Sequence, residues 1–518
     1  MKRKSLLAFA LSVLMALTLF SPAGSAEAAS GGGAAGWDSS VQDEIIVSVI
    51  NGYYTAGEQK LAEEYMALHP ETKVTIDVIA DNNAYTTKMQ TVLADLTADT
   101  ASDIVHSNFL SNVVGGPAAA LEQGILFDMS SILDMEHPYQ EGLVRDMYDE
   151  VLIAETMSGS GGAAMQALPF DKCGISFFYN KTAFEELGLS APETWEELLQ
   201  ICATFKANGV ENPITVSSEA SWILASLADA GLRSREYDFL VQPGDAIWDE
   251  ATMSANIDFV FDESDMTCDT LTVSSPERIL MAKEDGIIFS DVSRTAWSEF
   301  AKLAQYFPAN YYAGGADTVT EFETQLSPML ISGSWNVGLI LDDMNMMPEG
   351  SRFEWATFKI PGFANPPEGF QSEMRGMYVL GNIMGIIPKG DPDHDARVLD
   401  FYLFWYSQEG AQLCYEETLS NGNYVQGPCM IKGVTLSDEL NEKLEGFVTS
   451  GPVKQYSSEI IGMSQATQAD MPLYNDLQNR FISGETDLDA FLAELNGIMH
   501  NYTVSQMEAS GYDLDPLT

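Results

Sequence analysis

Near the start of the chain, continuous apolar runs alternate with segments in which apolar residues recur every three or four positions. This pattern predicts alternating strands and helices. Three apolar runs are predicted as strands, at residues 44–50, 73–79 and 103–106. The first is almost continuously apolar, as is typical of a strand buried on both faces of a parallel sheet. Between the runs, apolar residues recur every three or four positions, as at Leu61, Tyr65 and Leu68. This β-α-β-α-β order predicts an α/β fold with a parallel, doubly wound sheet.

The stretch of residues 165–205 combines a strand with two helices that carry clear end signals. An apolar run at 175–179 leads into Asn180, a favourable residue for starting a helix. Gly188 stands where a glycine commonly ends a helix. Thr194 and Glu197 then form a T-x-x-E capping box. The stretch therefore predicts strand, helix, break and helix.

The same stretch resembles a known family. Its LP, apolar run, YNK, F-E-E-L-G-L and P-E-T-W-E-E-L are similar to the extracellular solute-binding proteins of ABC importers, in the carbohydrate-binding, maltose-binding-protein-like branch. The resemblance extends from about residue 44 to the C-terminus and is weaker between 231 and 320. It implies a two-lobed, type II periplasmic-binding-protein-like fold, with a mostly parallel sheet in each lobe and a hinge between them.

The order of strand and helix signals, with the family-like segments at 322–335 and 376–389, predicts how the chain is shared between the lobes. The predicted parts are a signal peptide at 1–28, a Gly-rich linker at 29–37, a first lobe of 38–170 plus 380–425, and a second lobe of 175–375 plus 430–518.

Chain length indicates two lobes, and the net charge argues against a nucleic-acid-binding protein. The 518 residues are too many for one hydrophobic core, which agrees with two lobes. Lys and Arg number 25 against 76 Asp and Glu, a formal net charge of −51. Such a charge repels phosphates and anionic lipid headgroups, so we expect no nucleic-acid partner.

The N-terminus has the pattern of an export signal. Basic residues at 2–4 precede an apolar run at 6–20, and an A-x-A cleavage motif follows at 26–28. Ser30 stands where lipid-anchored relatives carry a cysteine, so a lipid anchor is not supported. We expect cleavage after Ala28 and an exported protein that is extracellular, cell-surface associated or periplasmic.

Ligands of doubly wound sheets bind outside the carboxyl ends of the strands. A sugar site needs aromatic plates for C–H faces and polar side chains for hydroxyl groups. The strand-end positions and the resemblance together indicate a set of candidate ligand contacts. These are Asn51, Tyr53, Tyr54, Asp81, Ser107, Asn108, Asp171, Glu219, Trp222, Trp335, Arg375 and Tyr474. Trp335 is the leading plate, and only one of the adjacent Tyr53 and Tyr54 is expected to face the ligand.

Catalytic and metal motifs are absent from the sequence. It contains no G-x-S-x-G, H-E-x-x-H or C-x-x-C, and the acids at 391, 393 and 395 lack the spacing of a calcium loop. We therefore predict a monomeric carbohydrate receptor for an ABC permease, with no enzymatic activity, cofactor or metal. Two alternatives stay open: a secreted carbohydrate-active hydrolase, and a receptor for another solute such as a peptide or polyamine.

Overall fold

The computed structural model describes residues 37–96, 101–159, 164–233, 240–245, 248–257, 260, 290–309, 311, 317–448 and 471–509. The predicted signal peptide, and the linker up to residue 36, lie outside the described residues. The chain divides into a first unit, Met1–Lys172 with Leu380–Leu436, and a second unit, Cys173–Val379 with Ser437–Thr518.

The last transition between the units comes later than the predicted 425–430. Ile431 is buried in the core of the first unit, and the backbone N–H of Thr435 donates to the Gln412 side chain of the same unit, at 2.8 Å. These contacts keep the chain in the first unit up to Leu436.

The first unit is an open sheet with helices packed against it. Its strands are β1 (Asp43–Ile50), β2 (Thr72–Ile79), β3 (Ile104–His106) and, late in the chain, β9 (Met384–Ile386). Its α-helices are α1 (Thr55–Leu68), α2 (Asn82–Ala94), α3 (Ser107–Val114), α4 (Pro117–Glu122), α5 (Glu150–Gly159), α13 (Pro392–Trp405) and α14 (Gln408–Ser420). Short 3-10 helices lie at Met129–Ile132 and Val144–Met147.

The strand order in the first unit is β2-β1-β3-β9. β1 pairs in parallel with β2 over its full length, from Asp43 opposite Thr72 to Ile50 opposite Ile79, and also in parallel with β3. β9 joins antiparallel to β3. The predicted β-α-β-α-β start is confirmed, because β1, β2 and β3 are parallel and α1 and α2 connect them.

The second unit holds the remaining described elements. Its strands are β4 (Lys172–Asn180), β5 (Ile214–Thr215), β6 (Met329–Gly333), β7 (Trp355–Phe358) and β8 (Tyr378–Leu380). The first residue of β4 and the last residue of β8 belong to the first unit. Its α-helices are α6 (Lys181–Glu186), α7 (Trp195–Ala207), α8 (Ala220–Leu232), α9 (Glu250–Met253), α10 (Ser290–Ala304), α11 (Thr318–Glu323), α12 (Asn336–Met346), α15 (Asp438–Leu444), α16 (Met471–Ile482) and α17 (Leu488–Ala509). Short 3-10 helices lie at Ser254–Asn256, Glu349–Ser351 and Glu445–Phe447.

The sheet of the second unit is mixed, which corrects the expectation of a mostly parallel one. Its order is β5-β6-β4-β7, with β8 also on β4. β5 and β6 are parallel, but β4 runs antiparallel to both β6 and β7. β4 follows directly from the first unit, and its first residues lie at the end of the sheet where β5 and β6 finish. Apolar spacing alone does not specify strand direction.

Local end signals are confirmed where the sequence contains them. The Asn180 side chain accepts from the backbone N–H of Ala183, at 2.9 Å, at the start of α6. Gly188 follows α6 with φ of 67°, the left-handed conformation that glycine adopts at low cost. Thr194 and Glu197 make both hydrogen bonds of the capping box of α7. Asp391 caps α13, with Pro392 at its first position. No helix among the described residues is both long and apolar enough to cross a membrane.

Candidate functional site

The carboxyl ends of β1, β2 and β3 form one edge of the first unit, because these strands are parallel. Four predicted contacts lie there with part of their surface accessible. Asn51 and Asp81 are exposed, and Tyr53 and Asn108 are half-buried. This edge therefore offers one aromatic ring together with amide and carboxylate groups.

Two of these polar groups already accept hydrogen bonds from other residues of the first unit. One carboxylate oxygen of Asp81 accepts from the backbone N–H of Ala84, at 2.8 Å, and caps α2. The Asn108 side-chain oxygen accepts from the side-chain amide of Gln166, at 2.9 Å. Each side chain is thus oriented by a hydrogen bond within the first unit. His106 adds no charge at neutral pH, because burial lowers its pKa to about 4.

Tyr54 and Asp171, two of the predicted ligand contacts, lie in the interior of the first unit. Both are fully buried, and the Tyr54 hydroxyl donates to the Asp171 carboxylate. Asp171 also accepts from the backbone N–H of Asn382, at 2.7 Å. Burial raises the pKa of Asp171 to about 6. Tyr54 turns inward through a left-handed backbone with φ of 49°, so its neighbour Tyr53 is the tyrosine left at the edge.

Ser107 is also interior. It is fully buried, and its hydroxyl donates to the backbone carbonyl of Ile383, at 2.9 Å. That bond joins the start of α3 to the segment leading into β9. Ser107 therefore forms an internal hydrogen bond next to this edge, whereas the adjacent Asn108 is partly exposed at its surface.

Tyr424 is a residue at this edge that the sequence analysis missed. Its backbone forms a parallel bridge with Tyr53, and the two rings meet edge to face with centroids 6.1 Å apart. Tyr424 is half-buried. It comes two residues after Gly422, in the turn that ends α14. An aromatic residue in a turn after a helix was the sequence signal that could have indicated Tyr424 as a candidate.

The second unit has a comparable edge at the carboxyl ends of β5 and β6, which are parallel. Glu219 and Trp222 follow β5, and Trp335 follows β6. All three are half-buried. The Ser217 hydroxyl donates to the Glu219 carboxylate and holds it at this edge.

Trp335 lies between a strand end and a helix start in the second unit. It immediately precedes α12 and packs against the core of the second unit while part of its surface stays accessible. Its six-membered ring lies directly against Gly333, the last residue of β6. The ring is thus supported from one side by a strand end.

Arg375 and Tyr474, two further predicted ligand contacts, lie in the interior of the second unit. Arg375 is fully buried and donates through Nε and Nη2 to the two carboxylate oxygens of Asp229, at 2.7 and 2.6 Å. Asp229 is fully buried as well. Tyr474 on α16 is 5% exposed and belongs to the hydrophobic core. Neither residue offers a surface to a ligand in this structure.

A cavity of about 100 Å³ lies in the second unit beside the start of β4 and the end of β7. Gly174, Lys359, Glu373 and Phe447 are among its lining residues. Within the described ranges, no group of three or more His, Cys, Asp or Glu side chains could hold a metal ion.

Several solved structures share this fold. The apo form of RafE from Streptococcus pneumoniae has a TM-score of 0.55 and 17% identity, covering 89% of this chain and 98% of RafE. RafE in complex with raffinose has a TM-score of 0.53 and 17% identity, covering 89% and 100%. A chitin oligosaccharide binding protein has a TM-score of 0.52 and 16% identity, covering 89% and 99%. These likenesses show a type II solute-binding fold.

A sequence relative is the multiple sugar-binding protein of Streptococcus mutans serotype c (strain ATCC 700610 / UA159). It is 26% identical over 190 residues, and the match spans 36% of this chain and 36% of that relative. The family model described as bacterial extracellular solute-binding protein covers much more, residues 51–412. That range begins directly after β1 and includes β2 to β9, together with Tyr53 and Trp335. The chain therefore belongs to the bacterial extracellular solute-binding proteins.

Proposed function

We propose that this protein binds a carbohydrate, specifically an oligosaccharide, and delivers it to an ABC importer. The observation that carries the proposal is the grouping of accessible aromatic rings with amide and carboxylate groups at the carboxyl ends of parallel strands in each unit. In the first unit these residues are Asn51, Tyr53, Asp81 and Asn108, and in the second they are Glu219, Trp222 and Trp335.

The grouping matches the surface chemistry of a sugar. Pyranose rings present C–H groups on their faces, which pack on aromatic rings, and hydroxyl groups on their edges, which pair with amides and carboxylates. The relatives named for raffinose, for chitin oligosaccharides and for multiple sugars support the same class of ligand. A hydrophobic solute would leave the carboxylates without partners, at a cost in affinity.

Binding without turnover completes the proposal. The relatives above are named as binding proteins, and their family is described as one of solute-binding proteins. We propose that the chain is exported through the signal at residues 1–28, cleaved after Ala28 without a lipid anchor, and acts as a monomer on the permease subunits of the importer. Mass analysis of the secreted protein tests the cleavage, because retention of residues 1–28 or an added lipid would contradict it.

The decisive experiment measures binding and turnover together. A thermal-shift screen of the mature chain should include raffinose, chitin oligosaccharides and maltose oligosaccharides, with a peptide and a polyamine as other solutes. A ligand that binds only the folded state adds about 2.7 kcal/mol to the free energy of unfolding at one hundred times its Kd. The melting temperature therefore rises. We expect a shift with at least one oligosaccharide, no shift with the peptide or polyamine, and no product by chromatography after prolonged incubation.

Each other outcome has a clear meaning. A shift with the peptide or polyamine alone would replace the sugar with another solute. Release of shorter sugars at a rate that scales with protein concentration would make the chain a hydrolase and end the receptor proposal.

A further inference from the structure

Gly333 stands unusually close to the indole of Trp335. A Cβ atom built on Gly333 would lie 2.3 Å from each of Cε2, Cζ2 and Cη2 of that ring. Carbon atoms in contact are normally about 3.5–4.0 Å apart. No side chain, not even that of alanine, fits at position 333 while the indole keeps its place.

The three equal distances also define the orientation of the ring. A point that is equally far from three adjacent atoms of a hexagonal ring lies on the axis through the ring centre, perpendicular to its plane. The Cα–Cβ direction of Gly333 therefore points at the face of the six-membered ring of Trp335, and not at its edge. The end of β6 covers one face of the indole, which leaves only the opposite face for stacking.

Conformational freedom does not explain a glycine at this position. Gly333 lies in a buried strand, opposite Ile175 of β4, and its φ is not positive. An alanine could adopt the same backbone conformation. What the position requires is the absence of a Cβ, and the group that excludes the Cβ is the indole of Trp335.

The backbone on both sides of the contact is held in place. The backbone N–H of Ser334 donates to the carbonyl of Gly174, at 2.9 Å, and the backbone N–H of Gly174 donates to the Ser334 hydroxyl, at 3.1 Å. The Asn336 side chain donates to the Ser332 hydroxyl, at 2.8 Å. A methyl group at position 333 would therefore displace the ring rather than the strand.

We propose that Gly333 is a positioning residue that seats the face of the Trp335 indole on the end of β6 and so sets the plane on which a sugar stacks. This inference rests on the proposed function, since it assigns the geometry of the same site. Its consequence is that the identity of residue 333 controls affinity for the sugar, although residue 333 is buried beneath the ring.

A double-mutant cycle tests the proposal with Gly333→Ala, Trp335→Ala and the double variant, using the oligosaccharide that binds the parent most tightly. Residues that act through one another are not additive in such a cycle. We expect Gly333→Ala to weaken binding about tenfold or more, because displacing an aromatic anchor removes much of its contact. In the Trp335→Ala background, the same change should alter the affinity by less than about twofold.

A second readout is independent of sugar. The near-UV circular dichroism of the parent minus that of Trp335→Ala isolates the band of this indole. Gly333→Ala should change that band before any ligand is added. The matched control is Gly174→Ala in the neighbouring strand, where the nearest atom to an added Cβ is 3.6 Å away, an ordinary contact, so the band should stay.

The outcomes separate this inference from the function on which it rests. If the parent binds no carbohydrate, the proposed function fails, whereas the dichroism still tests the packing. If Gly333→Ala weakens binding equally in both backgrounds, or leaves the Trp335 band unchanged, the positioning role is overturned. Should Gly333→Ala fail to fold, recovery of folding in the double variant would support the clash with the indole, and failure of the double variant would refute it.

Discussion

Two charged residues in the interior of the second unit form an ion pair with each other. Arg375 and Asp229 are both fully buried and form a bidentate ion pair with N–O distances of 2.7 and 2.6 Å. Two charges removed from water cost several kcal/mol each, and good geometry offsets that cost only while both are present. Removing one partner takes these two charge-assisted hydrogen bonds away from a charge that stays buried.

We expect Arg375→Met to destabilise the protein by about 3–5 kcal/mol, as is typical when one partner of a buried pair is lost. Arg145→Met is the matched control, because Arg145 pairs with Asp134 at the surface, where both side chains are largely exposed. A surface pair contributes about 0–1 kcal/mol. Urea unfolding of both variants measures the difference. Equal losses would show that burial of the Arg375 pair has no energetic consequence, and Arg375→Met/Asp229→Leu should recover part of the loss.

Trp335 and Trp195 differ in what their side chains contact. Trp195 is 1% exposed and donates its indole N–H to Glu299, whereas Trp335 is half-buried at the strand edge. We expect Trp335→Ala to weaken sugar binding by about 2 kcal/mol, roughly thirtyfold, since aromatic anchors contribute on this scale. Calorimetric titration measures that affinity.

The stability of the same two variants provides the control. Trp195→Ala should lose about 3–5 kcal/mol of folding free energy, as for other core tryptophans, and Trp335→Ala clearly less. A Trp335→Ala variant that melts as early as Trp195→Ala, yet binds sugar as tightly as the parent below its melting point, would make Trp335 a core residue.

At the scale of an element, the start of α13 carries a histidine between two carboxylates. His394 lies in the first turn of this helix, where the helix dipole disfavours a positive charge. Its Nδ1 is 2.9 Å from Asp43 and its Nε2 is 3.1 Å from Asp103. Burial lowers the pKa of His394, but the hydrogen bonds and charges of Asp103 and Asp43 outweigh burial and raise it to about 9.

This raised pKa predicts how stability changes with pH. A group with a folded-state pKa above its unfolded value of about 6.5 contributes stability that is fully present below pH 6.5. That contribution is lost as pH rises towards 9. The side chains of Lys389 and Arg397 also lie near these carboxylates, Lys389 at 3.3 Å from Asp103 and Arg397 at 3.9 Å from Asp43. We expect His394→Gln to flatten the decline in unfolding free energy between pH 6.5 and 9, measured by urea titration at several pH values. A variant with the same slope as the parent would disprove the linkage.

At the scale of the whole molecule, the net charge of −51 opposes folding, because the compact state brings like charges together. Salt screens that repulsion, as the Debye length falls from about 30 Å at 0.01 M to about 3 Å at 1 M. We expect the melting temperature to rise steadily when sodium chloride is added to a low-salt buffer.

Choline chloride at equal ionic strength distinguishes screening from specific cation binding. Screening predicts the same rise with both salts. A rise with sodium alone would indicate a cation site, and no rise with either would mean that the acidic side chains lie too far apart to repel one another appreciably.

The local elements and the family could be predicted from the amino-acid sequence. Helix starts at Asn180, Thr194 and Asp391 were predictable because a cap involves only residues a few positions apart. The first three strands were predictable for a similar reason, since burial on both faces requires a continuous apolar run. The motif of residues 165–205 indicated the family because it carries several such local signals in a fixed order.

Two features depend on long-range packing and could not be predicted: which strand-end residues reach the surface, and in which direction the strands of the second unit run. Tyr53 and Tyr54 are adjacent and chemically alike, yet a left-handed turn and the distant Asp171 bury Tyr54 alone. The pairing of Arg375 with Asp229, and the covering of the Trp335 ring by Gly333, likewise follow from packing that no local pattern encodes. The physical reason is that burial, strand direction and close contact depend on which distant segments meet, whereas caps and periodicity depend on neighbours along the chain.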